Sequence, residues 1–560
     1  MINPNARHNS GEHRGADRPA LVIDRREFLR LGLGGAALLV GCSDDGAGGS
    51  EGPGATGSSA GDTTALNTAE PTTGDTGTGA PGSTSDATTG DATTADATTG
   101  DATTDATTDA TTGDSSTSDA TTGDSSTGDA ELCAEGSAVT FDPEAVALDA
   151  LLFPCAVMAG EMRPTSVMLA VLIADGAAKT LRVWRPGEVA GEVLLVHESM
   201  VVPNAGGFMK VTVEGLCPGT WYSYGVFAGE ADSFTARSLI GEVRTAIAED
   251  TKEPLTLALA ACNGSSLVWP AMTVTADEYY DMLIHLGDMA YNDGAETLAE
   301  YRASWRTYLS ADGYKLALAR AGMYVTWDDH EIDDNSNFDR ETMDPQELAR
   351  RQNAMDAFFE ALPVDAEGPD YRLWRSFRWG LTAEIIVLDC RYERRPSQDQ
   401  YISPAQMTFL VDRLKNSPCH FKVVMNSVPI TNMPFAWDLA ANDRWEGYAA
   451  QRNQVLDLID AHDIKNVWFL SGDFHVCFVS RLEPTGTQLS QRTREIAVTS
   501  GNENPIPEFL TQLDPPQFDY GVHKPRGLII TFDPEADSVN VRFLDPSTGE
   551  DLYNKTLTQA

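Results

Sequence analysis

An α/β domain preceded by a small β-sandwich is the fold this sequence predicts, and two observations predict it. Between about Cys133 and Asp250, short alternating apolar stretches are separated by turn residues, with no long helical pattern. After Lys252 the pattern changes to apolar runs that alternate with amphipathic helical stretches. Strands at short, regular spacing suit a sandwich. Apolar runs alternating with helices suit a largely internal sheet covered on its faces. A chain of 560 residues has room for both, since a domain takes roughly 100 to 200.

Residues 1–42 read as a targeting signal. Asp24-Arg25-Arg26-Glu27-Phe28-Leu29-Arg30 places paired arginines ahead of an apolar run, Leu31 to Val40, that is too short to span a bilayer. This order of parts resembles a twin-arginine export signal, and Leu39-Val40-Gly41-Cys42 resembles a lipobox in which Cys42 takes the lipid. Export by the twin-arginine machinery and anchoring at the cell envelope, in the periplasm or at the cell surface, are the expectation. From Ser43 to about Ala130 the composition collapses to Asp, Ala, Thr, Gly and Ser, with units such as Asp91-Ala92-Thr93-Thr94 repeated. Nothing there can form a core, so 43–130 reads as an acidic, disordered tether.

The sandwich, expected over 133–250, draws its strands from Ser166 to Leu172, Thr180 to Trp184, Gly207 to Val213 and Trp221 to Phe227. The α/β part, expected over 253–560, draws strands from Leu255 to Ala261, Met282 to Leu286, Met323 to Trp327, Ile385 to Leu388, Lys422 to Met425 and Val467 to Leu470. Two helices carry start signals. Asp344-Pro345-Gln346-Glu347 and Ser403-Pro404-Ala405-Gln406 each place a cap, a proline at the first helical position and Glu or Gln at the third. Of eight cysteines, Cys42 is assigned to lipid, and an odd number remains, so at least one is a free thiol or a ligand. Cys155 with Cys217 is a pairing that one small domain permits.

The informative regularity is the polar residues that end each apolar run. The α/β strands end in Cys262-Asn263, in Gly287-Asp288 and then Tyr291-Asn292, in Asp328-Asp329-His330-Glu331, in Asp389-Cys390-Arg391, in Asn426-Ser427 and in Gly472-Asp473-Phe474-His475. Ligands of open α/β sheets bind beyond the carboxyl ends of the strands. Carboxylate and amide oxygens suit a hard cation, whereas thiolate, phenolate and imidazole suit a stronger Lewis acid, so this rim predicts two unlike ions. Each piece alone has a plainer reading: a capping carboxylate at Asp288, a buried apolar thiol at Cys262, or a salt bridge at Arg391. Their convergence carries the expectation. With 83 acidic against 40 basic residues and a net charge of -43, the chain lacks the basic surface that a nucleic acid demands.

These stretches resemble a known family, the PhoD-like alkaline phosphatases and phosphodiesterases of the calcineurin-like metallophosphoesterase fold. The matching pieces are Ala261-Cys262, His285-Leu286-Gly287-Asp288-Met289-Ala290-Tyr291, Thr326-Trp327-Asp328-Asp329-His330-Glu331 with Asn335, Val387-Leu388-Asp389-Cys390-Arg391, Trp445-Glu446-Gly447-Tyr448 and Leu470-Ser471-Gly472-Asp473-Phe474-His475. Gly160 to Val167 and the turn Pro218-Gly219-Thr220-Trp221-Tyr222 resemble the N-terminal β domain of that family, a fibronectin type III-like sandwich. The resemblance implies a four-layer α-β-β-α catalytic domain, one ferric ion and calcium. It implies Cys262 and Tyr291 as iron ligands, Asp288 as the bridge, Asp328 and Asn335 as calcium ligands, and Asp473 and His475 completing the site. His330 or Arg391 would contact the phosphate.

The expected function is therefore hydrolysis of phosphoesters by a metal-activated water, on small molecules or phospholipid head groups. A phospholipase D-like phosphodiesterase and an inactive surface-binding protein on the same fold are the alternatives.

Overall fold

The computed structural model describes residues 133–189, 191–231, 233–333, 344–365, 371–434, 437, 441–504 and 512–558. The signal, the tether, Asp334 and Asn335 lie outside them. The N-terminal strands are β1 (Ser137–Thr140), β2 (Met158–Gly160), β3 (Ser166–Leu172), β4 (Lys179–Pro186), β5 (Glu192–Val201), β6 (Phe208–Glu214), β7 (Trp221–Glu230), β8 (Ser233–Arg237) and β9 (Gly241–Arg244). Next along the chain come β10 (Leu255–Ala260), β11 (Met282–His285), β12 (Met323–Val325), β13 (Arg375–Trp379), β14 (Ala383–Val387), β15 (Phe421–Met425) and β16 (Val467–Ser471). The last strands are β17 (Cys477–Arg481), β18 (Arg494–Ala497), β19 (Phe518–Val522), β20 (Gly527–Asp533), β21 (Ser538–Leu544) and β22 (Asp551–Leu557).

Side-chain parity builds the layers, because successive residues of a strand face opposite sides of its sheet. One sheet runs β22-β21-β20-β10-β11-β12-β2-β3-β6 and a second runs β13-β14-β15-β16-β18-β17-β19. Leu257, Leu259 and Ile284 of the first meet Ile385, Val387, Val423 and Leu470 of the second in a core between the sheets. The alternate residues Ala258, Ala260, Leu283 and Val325 face outward onto helices α1 (Pro270–Ala276), α2 (Leu298–Leu309), α3 (Asp312–Arg320) and α4 (Pro345–Ala361), through Met272, Trp305, Tyr314 and Phe358. On the far side, Ile386, Val424 and Phe469 pack on α5 (Pro404–Asn416) and α6 (Ala449–Ala461), through Leu410, Leu414, Val455 and Ile459. The result is the four-layer α-β-β-α arrangement. Both expected helix starts are present: Asp344 accepts from the Gln346 N–H at 2.9 Å and Ser403 from the Gln406 N–H at 3.1 Å. Each such cap contributes about 1 kcal/mol.

The N-terminal part is a β-sandwich in which β1-β5-β4-β7-β8, with β9 on β7, packs through Leu181, Val183 and Val226 on Leu169 and Val171 of β3. Its second sheet does not close on itself. Strand β2 pairs in parallel with β12 at Met323 and Gly160, so β2, β3 and β6 continue the nine-stranded sheet. A buried ion pair, Arg375 with Glu161 at 2.7 Å, braces that junction. The turn before β7 is held by Tyr222, whose hydroxyl accepts from the Cys217 N–H at 2.7 Å.

The cysteine pairing differs from the expectation. Cys217 is bonded to Cys133, not to Cys155. The Cys155 thiol is buried and points at the Arg306 carbonyl of α2, 3.4 Å away, so tertiary packing has carried it off toward the α/β layer. Cys262, Cys390, Cys419 and Cys477 are also free and buried. Among the described residues no helix is long and apolar enough to cross a membrane.

Candidate metal centre and active site

Four of the apolar runs leave the sheet one or two residues earlier than they read. The ladder stops at Ala260, His285, Val325 and Val387, and the residues after it turn over the sheet edge. Four of the expected site residues take a left-handed backbone: Cys262 at φ 52°, Asp288 at 56°, Asp473 at 64° and His475 at 52°. For residues with a Cβ this conformation costs about 1 kcal/mol or more each and persists only where the surroundings impose it. Gly287, at φ 110°, shows the crowding: a Cβ there would stand 2.5 Å from the Asp328 Cβ. The two loops can approach this closely only because that side chain is missing.

The loops are stitched by Glu331. Its buried carboxylate accepts the backbone N–H groups of Asp328 at 2.7 Å, Asp288 at 3.0 Å and Met289 at 2.7 Å. Asn292 adds a bond from its amide to the Glu331 carbonyl at 2.9 Å. Glu331 thus aims Asp288 and Asp328, and its own oxygens are occupied.

Three clusters result, each with its ligand atoms within 4.8 Å of one another: Cys262, Asp288 and His475; Asp288, Asp329 and His330; Asp328, Asp329 and Asp473. The Tyr291 hydroxyl lies 3.4 Å from both Asp288 Oδ2 and His475 Nε2, and it accepts from the Asn502 amide at 2.7 Å. Six of the seven expected ligands therefore meet at one place, and Asn335 falls outside the described residues. Asp288 Oδ1, Asp328 Oδ2 and Asp473 Oδ2 are buried acceptors without a hydrogen bond. Buried carboxylate oxygens of this kind are stable when a cation occupies them.

Electrostatics points the same way. Burial, then Asp288, Asp473 and Asp328, push the Cys262 thiol well above its ordinary range. Burial and the neighbouring carboxylates push Asp288 and Asp473 well up, and burial with Asp288 raises the Tyr291 phenol. Burial also lowers His475 to about 4, holding the imidazole neutral. Thiol, phenol and carboxyls are each strained against ionisation, and a bound cation reverses that for every one of them. The donor set of sulfur, phenol and imidazole beside an all-oxygen group fits two cations of different softness.

Arg391 is placed otherwise than a phosphate contact. Its side chain is 2% exposed and is engaged by Asp328, by Asp443 at 2.6 Å and by Asp473 at 2.8 Å. It is the internal counter-charge of the acidic cluster. Burial works to raise Asp443, yet Arg391 and Arg394 hold it down to about 2. Asp328, which burial lifts to about 6, is restrained by the same guanidinium. The His330 ring lies against Tyr291, tilted by 32° with ring centroids 3.8 Å apart, and its Nδ1 lies 2.7 Å from Asp293 Oδ1. A carboxylate only accepts, so Nδ1 carries a proton.

Sequence reasoning assigns no role to Asp329, Asp293, Asp443 or Asn502. Asp329 has a signal, since it stands beside Asp328. Asn502 has one too: β18 pairs in parallel with β16, and Asn502 comes after the end of that strand, which is absent from the strands expected of the α/β part. Asp443 lies in a loop with no periodicity to mark it.

Known proteins resemble this chain in sequence and in fold. Residues 257–522 match the model of the PhoD-like phosphatase family. Alkaline phosphatase D of Bacillus subtilis (strain 168) is 29% identical over 329 residues, covering 50% of this chain and 56% of that protein, so the chain spans little more than half the length of this curated relative. A solved structure of PhoD superposes with a TM-score of 0.62 at 22% identity, covering 72% of this chain and 89% of the other. A purple acid phosphatase from yellow lupin (Lupinus luteus) gives 0.50 at 13%, covering 73% and 75%. Residues 257–522 are thus similar in sequence to the PhoD-like phosphatase family, and the superpositions show a metallophosphoesterase-like fold.

Proposed function

We propose that this protein is a metal-dependent hydrolase of phosphoesters. The observation that carries the reading is the convergence of Cys262, Asp288 and His475, with Tyr291 adjoining, on the carboxylates Asp328, Asp329 and Asp473. In this proposal Cys262, Tyr291 and Asp288 would hold ferric iron, and Asp328, Asp473 and Asn335 would hold calcium, with His475 completing the set. Bound there, the cations would lower the pKa of water near neutral pH and offset the charge of the phosphoryl group.

The chain's own groups supply the rest. Glu331 keeps Asp288 and Asp328 aimed at one point. Arg391 balances Asp328, Asp473 and Asp443 and so positions two of the proposed ligands. His330, oriented by Asp293 and the Tyr291 ring, is suited to pass a proton to the leaving alkoxide. The substrates are phosphoester small molecules or phospholipid head groups, and the enzyme is exported through the twin-arginine machinery and tethered by lipid at Cys42. The Cys133–Cys217 disulfide supports an oxidising compartment.

Turnover of a monoester, a diester and a phosphatidyl lipid by one metal-analysed preparation tests this. Hydrolysis that a calcium chelator abolishes reversibly is expected. A metal-replete protein inert toward all three would overturn it, and a phosphoryl-enzyme trapped by rapid quench would refute direct attack by water.

A further inference from the structure

At the end of β14 opposite Arg391, a cavity of about 580 Å³ opens beside the edge strand β13. Its walls come from the turn Met162 to Thr165 before β3, from Pro218, from Ala248 and Glu249 ahead of β10, from β13 and β14, and from Arg413 of α5. That volume lies within the range of small-molecule sites, about 300 to 1,000 Å³. We propose that it binds a small zwitterion, an amino acid whose ammonium meets Glu384 and whose carboxylate meets the surrounding guanidinium groups.

Glu384 is the first ground. It is 1% exposed, neither of its carboxylate oxygens accepts a hydrogen bond, and its nearest cation, Arg413 Nη1, is 3.6 Å away. A buried carboxylate without donors is unfavourable unless something donates to it. The second ground is the guanidinium on the same walls: Arg163, Arg378 and Arg413, the last also paired with Asp412, stand there with two carboxylates, Glu384 and Glu249. Arg378 stands opposite Glu384 in the β13–β14 register, has a buried Nε without a hydrogen bond, and comes no nearer than 3.9 Å to the Glu249 carboxylate. The Arg163 guanidinium lies 5.1 Å from the centre of the Phe377 ring and has no carboxylate partner among the described residues.

These two needs are opposite in sign and share one cavity. A simple anion would answer the arginines and be repelled by Glu384, while a simple cation would answer Glu384 and be repelled by the arginines. Water can hydrate either group but brings no charge to offset one. A molecule with an ammonium at one end and a carboxylate at the other answers both. It would also bridge the turn before β3 to α5, so its binding stabilises the junction of sandwich and α/β layers.

The test is calorimetric titration of the metal-loaded full chain with glycine, β-alanine, 4-aminobutyrate and lysine, with acetate and methylamine as single-charge controls. At least one amino acid should bind in the millimolar range or tighter, and the controls at least tenfold more weakly. Glu384→Gln and Arg163→Gln should each weaken that binding tenfold or more while phosphoester turnover is unchanged. Arg163 is exposed, so its variant reads the site even if Glu384→Gln does not fold. Absence of binding by all four amino acids, equal binding of acetate, or binding that survives the substitutions would overturn the proposal. Turnover is recorded separately, so failure here is distinguishable from failure of the hydrolase reading.

Discussion

Replacing Glu331 by glutamine should cost this protein several kcal/mol without removing a metal ligand. The wild-type carboxylate takes three backbone N–H groups, two on Oε2 and one on Oε1. Glutamine can keep its carbonyl oxygen toward Asp328 and Asp288, which turns its NH2 against the Met289 N–H. That donor is then buried and unpaired, at about 1–3 kcal/mol, and the other two bonds fall from charged to neutral, losing roughly 1 kcal/mol each. The sum is about 3–5 kcal/mol, a large share of the 5–15 kcal/mol typical of a folded domain. Urea unfolding with and without chelator measures it, best at alkaline pH, because burial pushes the Glu331 carboxyl up to about 7. Since the Glu331 oxygens face backbone donors, Glu331→Gln should still bind its full complement of metal at saturating concentration. Stability within about 1 kcal/mol of wild type would refute the stitching role. Folded protein that no longer binds metal would make Glu331 a ligand instead.

Cys262→Ala or Tyr291→Phe should remove iron together with any thiolate- or phenolate-to-iron absorption band, and unchanged iron content would sink that assignment. Arg391→Ala leaves Asp328 and Asp473 without their counter-ion, and Asp443 with Arg394 alone, and should destabilise the metal-free protein by about 3–5 kcal/mol, read by denaturant unfolding. The metal-free protein should also lose stability as pH rises. Burial lifts Asp328 to about 6 and Glu331 and Asp389 to about 7, so the folded state holds these protons more tightly than the unfolded chain. That contribution is full below about pH 4 and is lost through pH 6–7. A thermal midpoint that rises across that window in chelator would contradict it, and restoring the cations should flatten the slope.

Much of the site is legible in the sequence because a strand's apolar run and the polar residues that end it are local neighbours. Gly287-Asp288, Asp328-Asp329-His330 and Gly472-Asp473-Phe474-His475 each close such a run, and their ligand atoms do meet. Arg391 is legible as a site residue, but its geometry is not. Nothing local says that a guanidinium will be enclosed by carboxylates from three other loops. The cysteine pairing is illegible for a similar reason. Cys133 and Cys217 come together through the way the strands of the sandwich pack, and spacing along the chain carries no record of that.

The sequence by itself determined which side chains face which layer, because strand periodicity sets parity: Leu257 and Leu259 inward, Ala258 and Ala260 toward the helices. It also determined the helix starts at Asp344 and Ser403, where a side-chain oxygen and a proline act within one turn. Tertiary structure alone decided the strand order. That order carries the sandwich's β2, β3 and β6 into the nine-stranded sheet and lets β18 deliver Asn502 to Tyr291. Strand pairing joins residues far apart in the chain. Its energy depends on how all the strands pack together, a quantity that no single stretch of residues contains.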